Sequence, residues 1–458
     1  MKDKSAITKP TDHQDIQKTG MLQTDELFMI LKNTTLKTLE TYSNVHRGSG
    51  HYSMVTTRLY EQAREIVLNY MGLSKSGFII IFCSPRRAAS IIPNLKSGTF
   101  SSLNDEDINL PLGVVAIAIK KSTIPKELNW ETGGGTTRLY SGNWVIQARE
   151  PERYEAGTPA IVNVITFAKV LQMQKQNGRM ILKSDRNQTY TAKDILYNDV
   201  FGDLSGEQLL NELRKTLIGR NDTVPTMSGE QPFINFDNSA STPAFMPVFE
   251  AFTNTLQQRE EVRENIIQEV KSICSGFLGA PLKKYDVYFT SNTTESINLL
   301  ARNQPTWANE DIEPLVLTSV VEHSSNDLPW RDKPGYKMVR LPVNNDGFWD
   351  LKKLETILDD YNQKKLHGNK RITLVSLSGA SNVLGTCNEL TETGRIVHHY
   401  DAQFLVDAAQ LVAHRPINMF ESSIDYLAFS AHKMYAPFGC GTLIARKGLL
   451  NLPDEEIK

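Results

Sequence analysis

Short apolar runs recur through the second half of the chain, with amphipathic segments between several of them. The runs predict strands at residues 287–290, 315–321, 372–377, 404–406, 426–429 and 441–445. The segment 262–278 predicts a helix whose apolar face holds Ile266, Ile267, Val270, Ile273, Cys274 and Phe277. Strands and helices in alternation are typical of a mostly parallel sheet with helices on both faces. The pattern therefore predicts an α/β fold.

A change of composition separates the two halves. Residues 221–230 are rich in turn-forming side chains and follow a helical stretch at 205–217, so we predict a boundary there. The predicted divisions are a polar, disordered segment 1–20, a first domain 21–175, a helix and linker 176–232, and a second domain 233–458.

Composition narrows the class of protein. The chain has 458 residues, of which 40% are hydrophobic and 22% charged, as in ordinary soluble enzymes. A net charge of −2 gives no support for a nucleic-acid or membrane partner. The four cysteines are scattered without a CxxC pair, which predicts a reduced, cytoplasmic protein without a metal site. Residues 1–20 lack the apolar core of a signal peptide, and no run approaches the ~18 apolar residues of a membrane span.

The residues that indicate a chemical function are concentrated around Lys433. This lysine follows the apolar run 426–429 and stands beside Ser430 and His432. Most lysines are solvated surface charges. A lysine that forms a Schiff base must instead lose its proton, and burial at the end of a strand favours that loss. We therefore predict that Lys433 is such a lysine.

Asp407 is the second residue on which this prediction depends. It follows the run 404–406, where open α/β sheets bind ligands, and Gln410 lies three residues further on. An aspartate at this position alone is more often a turn residue. Pyridoxal phosphate, however, requires an acid beside its ring nitrogen, and the pairing of Asp407 with Lys433 on successive strands favours that cofactor.

Five motifs extend the pattern and occur in a characteristic order. They are residues 235–243, 290–298, 322–326, 381–385 and the Asp407–Lys433 pair. With these motifs, residues 233–446 resemble the large domain of class V pyridoxal-phosphate enzymes, the group that contains the cysteine desulfurases. The resemblance implies the pyridoxal-phosphate transferase type I fold.

The resemblance also implies roles for individual residues. Lys433 would hold pyridoxal 5'-phosphate covalently and carry protons, Asp407 would keep the ring nitrogen protonated, and His323 would stack on the ring. The other positions implied to bind the cofactor are Thr158, Thr293, Thr294, Asn382, Gln410, Ser430 and His432.

The first half resembles the same family with its middle missing and without the lysine, over residues 25–175. Residues 78–87 occupy the place of the phosphate-binding motif but read Pro-Arg-Arg where the second half has Thr-Thr-Glu. Residues 111–118 parallel 437–444, and residues 133–137 and 153–159 resemble family segments that the second half lacks. Each half therefore lacks segments of the family that the other half contains.

Two interpretations of these losses remain open. The first half could complete the site as an intramolecular pseudo-dimer, donating Thr158, Gly135 and His46, or it could be a structural copy only. A homodimer is the alternative assembly.

The expected function is a pyridoxal-phosphate-dependent transferase or lyase acting on a small amino acid, most like a cysteine desulfurase. An aminotransferase, a carbon–sulfur lyase, an epimerase and a non-catalytic pseudoenzyme stay open as alternatives. The family's carboxylate-binding arginine and sulfur-accepting cysteine have no match here, and neither Cys387 nor Cys440 is favoured as sulfur carrier. We therefore expect the chain to be a fragment truncated at its C-terminus.

Overall fold

The computed structural model describes residues 24–45, 50–125, 131–141, 144–178, 190–303, 312–331, 337–450 and 452–453. The strands are β1 Phe78–Cys83, β2 Phe100–Leu103, β3 Val115–Lys120, β4 Thr137–Ser141, β5 Trp144–Gln147, β6 Thr223–Thr226, β7 Gly229–Pro232, β8 Tyr285–Thr290, β9 Glu313–Ser319, β10 Lys337–Leu341, β11 Lys370–Ser378, β12 Gln403–Asp407, β13 Tyr426–Ser430 and β14 Gly441–Arg446. The helices are α1 Thr24–Glu40, α2 His51–Met71, α3 Pro85–Ile91, α4 Asp105–Ile108, α5 Ile161–Asn177, α6 Ala192–Leu196, α7 Gly206–Lys215, α8 Met246–Leu256, α9 Glu260–Phe277, α10 Thr293–Asn303, α11 Leu328–Arg331, α12 Leu351–Leu358 and α13 Leu390–His399.

A seven-stranded sheet forms the centre of the second half, in the order β10-β9-β11-β12-β13-β14-β8. Neighbours from β10 to β13 are parallel, while β14 pairs antiparallel with both β13 and β8. The six strands predicted from apolar runs are all present, with ends shifted by up to two residues. The predicted α/β class with a mostly parallel sheet is confirmed.

Consecutive residues of the central strands face two separate cores. Phe404 and Val406 of β12 belong to one cluster of buried side chains, and Leu405 between them belongs to another. Both clusters are apolar because helices cover the two faces of a parallel sheet. Polar side chains are therefore displaced to the strand ends.

The chain forms two compact units that are interleaved in sequence. One unit holds residues 1–129, 159–266 and 435–439, and the other holds residues 130–158, 267–434 and 440–458. These divisions differ from the domains 21–175 and 233–458 expected from composition. The turn-rich residues 221–230 form part of the hairpin β6–β7 and do not divide the units.

The first unit contains a three-stranded antiparallel sheet, β1-β3-β2. Its core joins side chains of α2, α5 and the strands, among them Tyr60, Phe82 and Phe167. In this unit β1 leads into α3 and pairs antiparallel with β3. In the second unit β8 leads into α10 and pairs antiparallel with β14 in the same manner.

Helix α9 forms as predicted, but its apolar face is only partly buried. Ile266 is 7% exposed and Cys274 packs against the core, whereas Ile267, Ile273 and Phe277 are 40% exposed or more. A helix buries only the stripe that its neighbours cover, and periodicity alone does not show how wide that stripe is.

Within the described ranges, no helix has both the length and the apolar composition needed to cross a membrane.

Helix α13 approaches the backbone of a neighbouring loop at Gly394. A methyl group there would lie 2.1 Å from the carbonyl oxygen of Ser422, so we expect Gly394→Ala to destabilise the second unit by about 1–3 kcal/mol. The matched control is Gly276→Ala in α9, where a methyl group meets no atom within 4 Å and should stabilise by up to about 1 kcal/mol. Urea unfolding of the two variants measures the difference, and equal midpoints would contradict this packing.

Candidate active site

The carboxyl ends of four parallel strands carry polar residues at one edge of the sheet. They are Ser319 of β9, Ser378 of β11, Asp407 of β12 and Ser430 of β13. Ser378 and Asp407 are directly paired in register across adjacent strands. Ligands of open α/β sheets bind at this edge.

Asp407 and Lys433 act on each other at this edge. The Asp407 side chain is 4% exposed, and its Oδ1 accepts a hydrogen bond of 3.0 Å from the amide of Ala409. Burial raises the pKa of the Asp407 carboxyl, while the Ala409 amide and the positive charge of Lys433 oppose that rise. Lys433 ends a short 3-10 turn directly after β13 and is half-buried. The structure thus joins a buried acid and a lysine from successive strands.

The amino end of α10 meets the end of β13 through hydroxyl groups. The amide of Thr293 donates to Ser430 Oγ at 2.7 Å, and the two hydroxyl oxygens lie 2.6 Å apart. Both side chains are buried. First-turn amides and hydroxyls at a helix amino end form a setting that favours an anion.

Ser325 links Thr294 to His323. Its Oγ lies 2.7 Å from Thr294 Oγ1 and 2.9 Å from His323 Nδ1. The Ser325 amide also donates to His323 Nδ1 at 3.2 Å. Since Nδ1 accepts, the neutral ring carries its proton on Nε2. The imidazole is therefore held in one tautomer and one orientation.

The segment 131–158 of the first half is built into the second unit at the start of α10. Asn292 caps this helix, because its Oδ1 accepts from the Glu295 amide at 2.9 Å. Its Nδ2 donates to the carbonyl oxygens of Thr158 at 3.1 Å and Ala156 at 3.2 Å. Gly157, with φ of +81°, leaves room for this approach, since a methyl group would lie 2.2 Å from Asn292 Oδ1.

Further bonds fix the glycine-rich end of the segment. The amide of Gly134 donates to Ser325 Oγ at 3.3 Å, and a methyl group at Gly133 would lie 2.5 Å from Thr294 Cγ2. Thr132 and Asn298 exchange two hydrogen bonds, of 3.2 and 2.8 Å. A fused segment of the first half thus contacts residues of the candidate site.

The remaining predicted positions are placed as follows. His432 and Gln410 are buried next to the residues that end β13 and β12. Thr158 is 7% exposed at the segment that Asn292 binds. Asn382 is exposed in the loop after β11, where Ser381 Oγ accepts the amides of Val383 and Leu384. Gly135 is exposed at a left-handed turn, and His46 lies outside the described residues.

Three residues at this edge were quoted only as parts of motifs in the sequence and have structural roles there. They are Asn292, Ser325 and Glu322. Asn292 stands directly before the first residue of α10, which is the preferred place of a capping asparagine and the signal that could have identified it. The contacts of Ser325 and Glu322 reach residues distant in sequence, so no local pattern indicates them.

Known proteins are similar to this chain in sequence. The aminotransferase class-V family model matches residues 108–201 and 234–454. A cysteine desulfurase of Dickeya dadantii is 35% identical over 187 residues, 40% of this chain and 42% of that protein. A cysteine desulfurase of Escherichia coli K12 is 32% identical over 189 residues, 40% of this chain and 43% of that protein.

Solved structures are also similar. The apo structure of a cysteine desulfurase from Thermococcus onnurineus matches with 25% identity and a TM-score of 0.45, over 56% of this chain and 67% of that one. The matched part of this chain spans less than half the length of each of the two curated relatives named above.

The family model covers more than half of the sequence, in both of its halves. The chain belongs to the class-V aminotransferase family.

Proposed function

We propose that this chain is a pyridoxal-phosphate-dependent enzyme that acts on an amino acid, most like a cysteine desulfurase. The observation that carries the proposal is the meeting of Lys433, Asp407 and the amino end of α10 at one edge of the sheet. The family membership and the names of the relatives support it.

The residues present fit the cofactor. A phosphate dianion suits the Thr293 amide and the buried hydroxyls of Thr293 and Ser430 at the start of α10. Burial raises the pKa of the Asp407 carboxyl although the charge of Lys433 opposes the rise, and a protonated ring nitrogen would be a second positive charge that favours the carboxylate. Lys433 provides the amine for covalent attachment. His323, with its ring held by Ser325, would lie against the ring face.

Each residue then has a separate task. When bound, pyridoxal phosphate supplies an electron sink for a negative charge at the α carbon of the amino acid. Asp407 stabilises a proton on the ring nitrogen. Lys433 would accept and return a proton at its Nζ. The Nε2–H group is the hydrogen-bond donor of the His323 ring.

The segment 131–158 would complete the phosphate end of the site. It is joined to the start of α10 through Asn292, and Thr158 follows Gly157 at the contact. In this proposal the first half supplies what a partner subunit would otherwise supply, as an intramolecular pseudo-dimer.

A carbon–sulfur lyase is the second candidate. A desulfurase needs a thiol to accept sulfur, and the thiolate is the nucleophile. Burial raises the pKa of the Cys440 thiol to about 12 and also raises that of Cys274. Neither of these two thiols is therefore a ready acceptor near neutral pH, and this observation supports the lyase as the second candidate.

Replacement of Lys433 tests cofactor attachment. We expect the chain with added pyridoxal phosphate to show a visible absorption band that survives dialysis, and Lys433→Ala to lose it because the substitution removes the amine that would form the bond. Lys447→Ala, at a lysine that is about half exposed, is the matched control and should keep the band. Retention of the band by Lys433→Ala would refute the assignment.

Thr158→Val tests the contribution of the fused segment. Loss of a hydroxyl that binds a charged phosphate should weaken cofactor affinity by roughly tenfold or more. Thr158→Ser keeps the hydroxyl and should bind within about threefold of the unaltered chain. Titration of cofactor fluorescence measures both variants, and equal affinity of Thr158→Val and the unaltered chain would assign the segment a structural role only.

The products formed from cysteine decide the reaction. A desulfurase leaves alanine, and its sulfur appears as sulfide only when an added thiol reductant releases it. A carbon–sulfur lyase produces pyruvate, ammonia and sulfide without a reductant. We expect alanine as the main product of the cofactor-loaded chain, with Lys433→Ala as the inactive control. Pyruvate as the main product would instead select the lyase. The absence of both alanine and pyruvate would indicate a protein without turnover of cysteine.

A further inference from the structure

Glu322 is a buried carboxyl group that joins the ends of two strands. It is 8% exposed and lies between β9 and the 3-10 turn that follows His323. Its Oε1 accepts from Ser319 Oγ at 2.5 Å, and its Oε2 accepts from Ser378 Oγ at 2.6 Å. Ser319 ends β9, and Ser378 ends β11, so one side chain bridges adjacent strand ends.

Asn326 makes a second link between the same elements. Its Nδ2 donates to Glu322 Oε2 at 2.7 Å, while its Oδ1 accepts from Ser376 Oγ at 2.5 Å. Trp330 Nε1 also lies 3.4 Å from this Oδ1. All of these polar groups are buried, so loss of any one leaves others without a partner, at a cost of about 1–3 kcal/mol each.

The network restricts where Glu322 can carry a proton. The amide group of Asn326 can only donate to Oε2, because its own oxygen is engaged as an acceptor. Oε1 faces the Ser319 hydroxyl, which can accept as well as donate and also takes the Val321 amide at 3.2 Å. A protonated carboxyl would therefore donate its hydrogen to a serine hydroxyl, that of Ser319 from Oε1 or that of Ser378 from Oε2, and not to the Asn326 amide group.

Neutral groups donate hydrogen bonds to the carboxyl of Glu322. Burial raises the pKa of Glu322 to about 7, and hydrogen bonds from Ser319, Ser378 and Asn326 limit the rise. The ionisable groups on the elements packed around it are His323, Tyr140, Asp327, Arg331 and Arg340. Asp327 pairs with both arginines, and Arg340 Nη1 reaches the Ser319 carbonyl at 3.1 Å.

The bridge lies beside two residues of the proposed site. His323 follows Glu322 in the chain, and Ser378 is the register partner of Asp407. The amide of Gly379 also donates to the Asp407 carbonyl at 2.9 Å. A shift of Glu322 would therefore move the backbone that carries the His323 ring. It would also move the end of β11, which borders Asp407.

We propose that Glu322 is a positioning residue of the active site, which sets the place of the His323 ring relative to Asp407 by joining the ends of β9 and β11. The inference rests on the proposed function for its role in catalysis, but the geometry that it fixes exists in the cofactor-free chain. Because this carboxyl can gain a proton and donate it to a serine hydroxyl, the bridge is sensitive to pH.

Two substitutions distinguish the effect of the negative charge of Glu322 from the effect of its hydrogen bonds. In Glu322→Gln the amide can donate to Ser319 and accept from Asn326 and Ser378, as the protonated acid can. Glu322→Ala leaves these donors without an acceptor. The matched control is Asp425→Asn at the opposite edge of the sheet, where a buried acid accepts the Phe404 amide at 2.9 Å and pairs with Arg446 at 2.7 Å.

The first measurements use the cofactor-free chain. Nitrogen NMR of the His323 ring should show a single neutral tautomer in the unaltered chain, in Glu322→Gln and in Asp425→Asn, and mixed tautomers in Glu322→Ala. The infrared band of a protonated carboxyl should fade as pH rises through about 7, and this change should be missing from both Glu322→Gln and Glu322→Ala but present in Asp425→Asn. An unaltered tautomer in Glu322→Ala, or a persistent infrared change in Glu322→Gln, overturns the proposal.

The second measurement is cofactor affinity. Glu322→Ala should bind pyridoxal phosphate roughly tenfold or more weakly, Glu322→Gln should rescue most of this loss below pH 7, and Asp425→Asn should bind normally despite lower stability. Equal losses in Glu322→Ala and Asp425→Asn would assign Glu322 to folding alone. If the unaltered chain forms no visible complex, the proposed function fails, and the cofactor-free measurements still decide the role of Glu322.

Discussion

The side chain of Asn292 is the interaction on which the candidate site depends. It caps α10 through the Glu295 amide and binds the carbonyl oxygens of Ala156 and Thr158. One amide group therefore fixes both the helix end that would face a phosphate and the segment that reaches it from the first half. A buried amide left without these partners would cost about 1–3 kcal/mol, so the cap and the segment are stabilised together.

The sheet explains why polar groups gather at one edge. Parallel strands covered on both faces must be apolar along their length, and β12 and β13 are buried at every residue. Side chains such as Asp407 and Ser430 can be accommodated only where a strand ends. Because neighbouring parallel strands end at the same edge, Asp407, Ser378 and Lys433 meet although 55 residues separate the outer two.

Each unit contains a strand that leads into a helix and pairs antiparallel with a second strand. The two units differ at the start of that helix. In α10 the first residues are Thr293 and Thr294, whose hydroxyls bond to Ser430 and Ser325. In α3 the corresponding positions are Pro85 and Arg86, with Ser84 as the cap. Proline fits the first turn of a helix but has no amide hydrogen to offer an anion. The chemistry is therefore concentrated in the second unit, while the first half contributes the segment 131–158.

The sequence by itself determined six of the seven strands of the central sheet and the α/β class, because buried parallel strands leave continuous apolar runs. It placed Asp407 directly after one such run and Lys433 shortly after the next. It also indicated the resemblance of residues 133–137 and 153–159 to segments that the second half lacks. Only the tertiary structure decided that these residues contact α10 through Asn292, that Ile273 and Phe277 of α9 are exposed, and that Glu322 joins β9 to β11. These contacts connect residues far apart in the chain, and local patterns carry no information about which distant backbone or side chain will satisfy a buried polar group.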